Sequence, residues 1–174
     1  MWAGLNEVAA EQSELQRAAE PVNRFRDLII AALGTGRAHV GSADTGGLPA
    51  ADQKKWGWAL EGYEWRARGE CIGWITAQGE LYLEPDVSYA VTSRIGPISV
   101  SAETLSARMA DAAVTVVERE GKRRRHRPKR QAGGVRRRVL HIRSLDWLYP
   151  QERGASGATT EKDEVSHDVG AVPL

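Results

Sequence analysis

The sequence predicts an α+β fold, and three observations carry that prediction. Apolar residues recur at helical spacing in three separate stretches. Apolar and polar residues alternate through a tryptophan-rich centre, as in half-buried strands. Charge is segregated, with an arginine-rich run between acidic flanks. The chain has 174 residues, enough for one domain with a real core and polar ends.

Residues 5–33 read as helical. Leu5, Val8, Ala9 and Leu15 form a weak apolar stripe, which Pro21 interrupts as a first-turn proline would. Val22, Phe25, Leu28, Ile29, Ala32 and Leu33 then line one helical face, and Gly34 follows as the cap. Arg37-Ala38-His39-Val40 reads as a short strand, and residues 41–55 as a loop. Trp56, Trp58 and Leu60 alternate, as do Tyr63 and Trp65. Cys71 to Ile75 and Leu81 to Leu83 flank a turn at Ala77-Gln78-Gly79-Glu80. Together these predict a small antiparallel sheet whose aromatic face, including Trp74, packs on the helix at 22–33.

A second helical pair follows. Pro85 and Asp86 suit a first turn, Val87, Ala90, Val91 and Ile95 its inner face, and Gly96-Pro97 its end. Ser101 is the N-cap of a helix running to Asp111, with Leu105 and Met109 inward. A strand at Val114–Val117, a 14-residue basic loop from Gly121 to Gly134 and a strand at Val135–Arg143 complete the domain. Leu145, Trp147, Leu148 and Tyr149 form a closing apolar cluster. The expected organisation is an N-terminal helical segment at 1–20, an α+β domain at 21–150 and a disordered, acidic tail at 151–174.

The net charge of +1 conceals the distribution. Residues 121–143 carry 11 Lys and Arg and no acid, while residues 1–120 carry a net −6 and residues 144–174 a net −4. Such a run on an acidic body predicts a polyanion partner. Helix, turn, helix, strand, basic loop, strand over 85–143 is the layout of a winged helix-turn-helix unit. In that layout the second helix presents Ser101, Thr104, Arg108 and the neighbouring Ser106 to DNA. The wing presents Lys122, Arg123, Arg124, Arg125, Arg127, Lys129, Arg130, Arg136, Arg137 and Arg138 to phosphates. The competing reading of the run is a solvated loop, and of the helix pair an ordinary α+β core.

Several of these stretches, Arg37-Ala38-His39-Val40, Gly69-Glu70-Cys71-Ile72-Gly73-Trp74, Leu81-Tyr82-Leu83-Glu84-Pro85-Asp86, Ser101-Ala102-Glu103-Thr104-Leu105 and Arg136-Arg137-Arg138-Val139-Leu140-His141-Ile142, resemble one region of a known family. It is the C-terminal region of the replicative primase–helicase proteins of bacterial phages and mobile elements. The resemblance spans residues 20–145 and rests on short hydrophobic motifs. It implies a winged-helix nucleic-acid-binding end that follows an ATPase domain. This chain departs from that pattern: Gly34-Thr35-Gly36-Arg37 has neither the spacing nor the lysine of a phosphate-binding loop. The resemblance therefore implies an accessory end, or a remnant, without the motor.

Enzyme chemistry finds little support in the sequence. His39, His126, His141 and His167 form no metal-ligating pair, and Cys71 sits in an apolar strand as a structural thiol. Glu80, Glu84 and Asp86 read as a turn residue and helix-start charges rather than a Mg²⁺ cluster. Trp56, Trp58, Trp65 and Trp74 read as core rather than a base-stacking platform. No apolar run reaches the ~18–20 residues that span a bilayer, and the start has no signal-peptide pattern. One cysteine excludes an internal disulfide framework. The expectation is a non-catalytic, cytoplasmic, bacterial or phage-encoded DNA-binding module, accessory to replication. It needs no cofactor or metal, takes duplex in preference to single-stranded DNA, and pairs with a replication protein or a second copy of itself. The alternatives are a protein-interaction adaptor using the N-terminal amphipathic helices and a small Mg²⁺-dependent nuclease.

Overall fold

Helix α1 covers residues 20–34 in the computed structural model, which describes residues 20–150. The expected helix before Pro21 and the expected tail after residue 150 lie outside the described residues. Val22, Phe25, Leu28, Ile29, Ala32 and Leu33 are all buried, as their spacing predicts. The left-handed cap falls two residues later than expected. Gly36, at φ +68°, takes the left-handed conformation, and Arg37 N–H bonds the Ala32 carbonyl at 2.9 Å while Gly36 N–H bonds that of Leu33 at 3.2 Å.

The chain then builds β1 (Ala38–Ser42), the hairpin β2 (Trp58–Glu61) and β3 (Glu64–Ala67), and the strands β4 (Glu70–Ile75) and β5 (Leu81–Leu83). Helices α2 (Pro85–Ile95) and α3 (Ala102–Asp111) follow. Two short hairpins come next, β6 (Glu118–Glu120) with β7 (Arg123–Arg125) and β8 (Lys129–Ala132) with β9 (Val135–Arg138). Strand β10 (Leu140–Ile142) closes the domain. The architecture is thus the α+β mixture the sequence predicts.

The central sheet has four strands in the order β1-β4-β5-β10. It is mixed rather than antiparallel as expected, because β1 pairs parallel with β4. The long excursion through the loop and the β2–β3 hairpin supplies the crossover that a parallel pair requires. Side chains alternate along β5 and β10, while β4 changes face between Ile72 and Trp74, beside the irregular register with β1. Val40, Ile72, Leu81, Leu83, Leu140 and Ile142 share one core with the α1 face, Val91 of α2, Leu105 and Met109 of α3, and Leu148. Leu145, Trp147 and Tyr149 pack against the same core, so the closing cluster is where the sequence places it.

The opposite face carries a second, smaller core of Trp74, Tyr82, Val139, Ala132 and Ala43. This corrects the expectation of one aromatic face. Trp56 is buried in the main core, but it sits in a turn before β2, and Trp74 points the other way. Trp58 packs at the rim of the main core, its indole N–H bonded to the Val40 carbonyl at 2.9 Å. Trp65 is half-buried on β3.

The inner face of α2 also differs from expectation. Ser88 and Thr92 are buried beside Val91, while Ala90 is only half-buried. Each hydroxyl is satisfied locally: Ser88 Oγ donates to the Glu84 carbonyl at 2.6 Å and Thr92 Oγ1 to that of Ser88 at 2.7 Å.

The basic region departs most from the sequence reading. The 14-residue loop expected from Gly121 to Gly134 is instead one strand of the first hairpin, a short linker and one strand of the second. Both hairpins turn on glycine. Gly121 has φ +60°, and Gly133 and Gly134 have φ +58° and +78°, the pair of positive values that a tight two-residue hairpin loop needs. The strand expected at Val114–Val117 is irregular. Val116 N–H bonds the His141 carbonyl at 2.8 Å, so this stretch runs beside β10 without a full ladder. The strand expected over Val135–Arg143 is broken at Val139, which turns inward into the second core and bonds the Pro128 carbonyl through its N–H at 3.0 Å.

Candidate nucleic-acid interface

Helix α3 starts as the sequence indicates. The Ser101 hydroxyl accepts the Thr104 N–H at 3.2 Å, and Leu105 and Met109 are buried. Ser101 and Thr104 are exposed, and Arg108 is half-buried and engaged with a neighbouring group. Ser106 does not lie on the outer face. It is buried at 3% exposure, where it donates to the Ala102 carbonyl at 2.7 Å.

The first hairpin and the linker that follows it lie along α3. At the C-terminal end Arg124 pairs with Asp111 at 3.2 Å. At the N-terminal end Arg127, in the linker between the hairpins, donates to Ser106 Oγ and the Ala102 carbonyl at 3.2 and 3.3 Å, and stands 3.6 Å from Asp86 of α2. Arg127 is therefore a bracket between both helices and the linker, not a loose member of a basic run.

The second hairpin is anchored on the small core. Gly133 N–H bonds the Ala43 carbonyl at 2.8 Å, and the Arg137 guanidinium lies 5.0 Å over the Trp74 ring. Arg130 is half-buried and has three partners. It bonds Glu118 at 2.6 Å, linking the hairpins, donates its Nε–H to His141 Nδ1 at 3.1 Å, and bonds the Lys129 carbonyl at 2.9 Å. That guanidinium holds the Glu118 carboxyl below its ordinary pKa.

His141 is buried, with its ring edge-on to Tyr82 at 4.9 Å. Since Arg130 donates to Nδ1, the ring proton sits on Nε2, which lies 3.3 Å from Glu80 Oε2 but off the line of a hydrogen bond. Burial pushes the imidazole pKa down, against the pull of Glu80. The Tyr82 hydroxyl donates to the same Glu80 oxygen at 3.2 Å, and burial and that carboxylate raise its pKa. Glu118, Arg130, His141, Glu80 and Tyr82 thus form one polar chain from the hairpins into the sheet.

Register explains which cations are compensated. Arg130 stands opposite Arg137, and Lys129 opposite Arg138; like charges directly opposite destabilise a hairpin. Glu118 and the Trp74 ring relieve the first pair. Lys129 and Arg138 are exposed and make no side-chain hydrogen bond or ion pair with the described residues, and the same holds for Lys122, Arg123 and Arg136. Of the ten cations singled out from the sequence, these five point to solvent without a partner among the described residues, whereas Arg124, Arg127, Arg130 and Arg137 hold the hairpins in place and Arg125 is engaged.

An open cleft of about 310 Å³ lies between α3 and the hairpins. Arg124, Arg125, Arg127 and Arg138 line it, with the ring of His126, whose Nδ1 is buried without a partner. Ser106 and Glu103 of α3 form the other wall. Sequence reasoning named the arginines but not His126, for no local spacing relates it to α3.

Cys71 is half-buried, its thiol donates to the Gly73 carbonyl at 3.4 Å, and burial raises its pKa, the reverse of an activated thiolate. Glu80 is committed to the polar chain, and Asp86 faces Arg127. No group of three His, Cys, Asp or Glu among the described residues is placed to hold a metal ion. No helix among them is long and apolar enough to cross a membrane. The chain matches no protein-family model, and searches of curated proteins and of solved structures find no match to it.

Proposed function

We propose that this chain is a non-catalytic DNA-binding module. One observation carries the reading: the first arginine hairpin and the linker after it are fixed alongside α3 from its first turn to its last, through Arg127 and Arg124, with cations that have no partner among the described residues facing outward. A set of buried or paired arginines used to orient a set of free ones is what a backbone-tracking surface requires. The α2–α3 pair, the stretch at 114–117 beside β10, and the return of β10 to the strand that precedes α2 support a winged-helix arrangement with a doubled wing. Thr104 and Arg108 on α3 are the groups nearest to hand for a groove. A role in replication of a phage or mobile element, with a replication protein as partner, rests on the resemblance of residues 20–145 and is part of the proposal.

The adaptor alternative is weakened by where α1 spends its apolar face, since Val22, Phe25 and Ile29 are buried in the main core. Of the acids the nuclease alternative would draw on, Glu80 accepts from Tyr82 and Asp86 faces Arg127. The test is a salt titration with duplex DNA. The proposal expects binding at micromolar concentration or tighter that weakens steeply as salt rises. Weak binding that does not respond to salt overturns it.

A further inference from the structure

We infer that the cleft between α3 and the hairpins is a seat for one internal phosphate of the DNA backbone, and that it sets how α3 meets the groove; this rests on the DNA-binding reading above. Four arginines, Arg124, Arg125, Arg127 and Arg138, line the cleft, and two of them are already held at its α3 wall. Arg127 is held by Ser106 and the Ala102 carbonyl, and Arg124 by Asp111. Oriented donors lose little freedom when an anion arrives, and guanidiniums match phosphate oxygens two at a time. Arg138 enters from β9 beside Lys129, its like-charged neighbour across the hairpin, so an anion here also relieves a repulsion that no described group neutralises. Glu103 on the opposite wall disfavours an anion spread across the whole cleft and confines it to the arginine side.

The cleft opens beside α3, so a phosphate held there belongs to the strand that borders the groove α3 would enter. An internal diester fits this place; a terminal phosphate monoester shares the chemistry but needs a DNA end. Phosphate contacts of this kind fix register and orientation without reading sequence.

The experiment compares Arg138→Ala, Arg138→Lys and Arg136→Ala in the full chain. Arg136 and Arg138 lie two residues apart on β9, both exposed and without described partners, but only Arg138 lines the cleft. Binding is measured at fixed salt to one short duplex, made with 5′-phosphate or with 5′-hydroxyl ends, and thermal melting checks each fold. The seat requires a loss of about 10-fold or more for Arg138→Ala, as for a charge-assisted hydrogen bond. It requires no more than about 5-fold for Arg136→Ala, as for an exposed ion pair. Arg138→Lys keeps the charge but not the fork, and must also lose affinity. Equal losses for Arg136→Ala and Arg138→Ala overturn the seat while leaving DNA binding intact, and so does full affinity in Arg138→Lys. Losses confined to the 5′-phosphate duplex overturn the internal diester in favour of an end. Absence of DNA binding by the unaltered protein overturns both the seat and the reading beneath it.

Discussion

Arg127 and His141 show how far single residues here depend on the fold around them. Arg127 sits in a run of cations, yet it bonds a buried hydroxyl and a helix carbonyl. Arg127→Ala should destabilise the domain by about 1–3 kcal/mol. Arg123→Ala, on an exposed strand, should stay within about 0.5 kcal/mol. Urea unfolding of the two variants checks the difference. His141 adds a pH dependence whose sign is fixed. The unfolded chain takes up this proton near pH 6.5, whereas the folded imidazole resists it to a lower pH because it is buried and accepts from Arg130. The unfolded state therefore binds more protons in that window, and stability falls as pH drops below about 6.5. Melting temperatures between neutral pH and pH ~5 should fall less in His141→Gln than in the unaltered protein, above the range where carboxylates titrate. A parallel fall in both would remove His141 from the account. The cap at Ser101 and the inward pair Leu105 and Met109 were legible because they depend on neighbours three or four residues away. The duties of Arg127 and His141 were not, because their partners lie 21 and 11 residues off.

At the scale of elements, the helices followed from their spacing and the hairpins did not. The signals were present in Glu120-Gly121-Lys122 and Gly133-Gly134, since glycine at such loop positions marks tight hairpins. Eleven cations in so short a stretch read as mutual repulsion and hence as a loop. The fold answers that repulsion with Glu118 and with the indole of Trp74, neither of which the run itself contains. Docking of the second hairpin is open to test through glycine. Both positions have a positive φ that disfavours a side chain, but a Cβ at Gly133 would also lie 2.9 Å from Trp74 Nε1, while one at Gly134 would meet open space. Gly133→Ala should cost about 1–3 kcal/mol and exceed Gly134→Ala, as read by chemical denaturation. Trp74→Ala should cost about 3–5 kcal/mol, because it empties the centre of the smaller core. A stable, fully folded Trp74→Ala protein with lost single-strand binding would instead make Trp74 a stacking residue. The parallel pairing of β1 with β4 was illegible for a different reason: pairing partners 32 residues apart leave no local mark.

Across the whole molecule, the mixed sheet separates two tasks. One face is closed by α1, α2 and α3 over the main core, and the other is closed by the second arginine hairpin over Trp74 and Tyr82. The cationic surface is thereby carried in part by a hairpin that packs on the sheet through Ala132 and the Gly133 N–H. On the proposed DNA-binding reading, the outward cations on this frame that lack a described partner, and not its folding, govern attraction to DNA. The direct measurement is the salt dependence of duplex binding for the unaltered protein and for a variant with Lys122, Arg123, Lys129 and Arg136 all replaced by alanine. These four are exposed and make no side-chain hydrogen bond or ion pair with the described residues, so melting should be almost unchanged. The account predicts weaker binding to every sequence alike and a slope of log affinity against log salt flatter by about 3–4. An unchanged slope and affinity in the folded variant would contradict it.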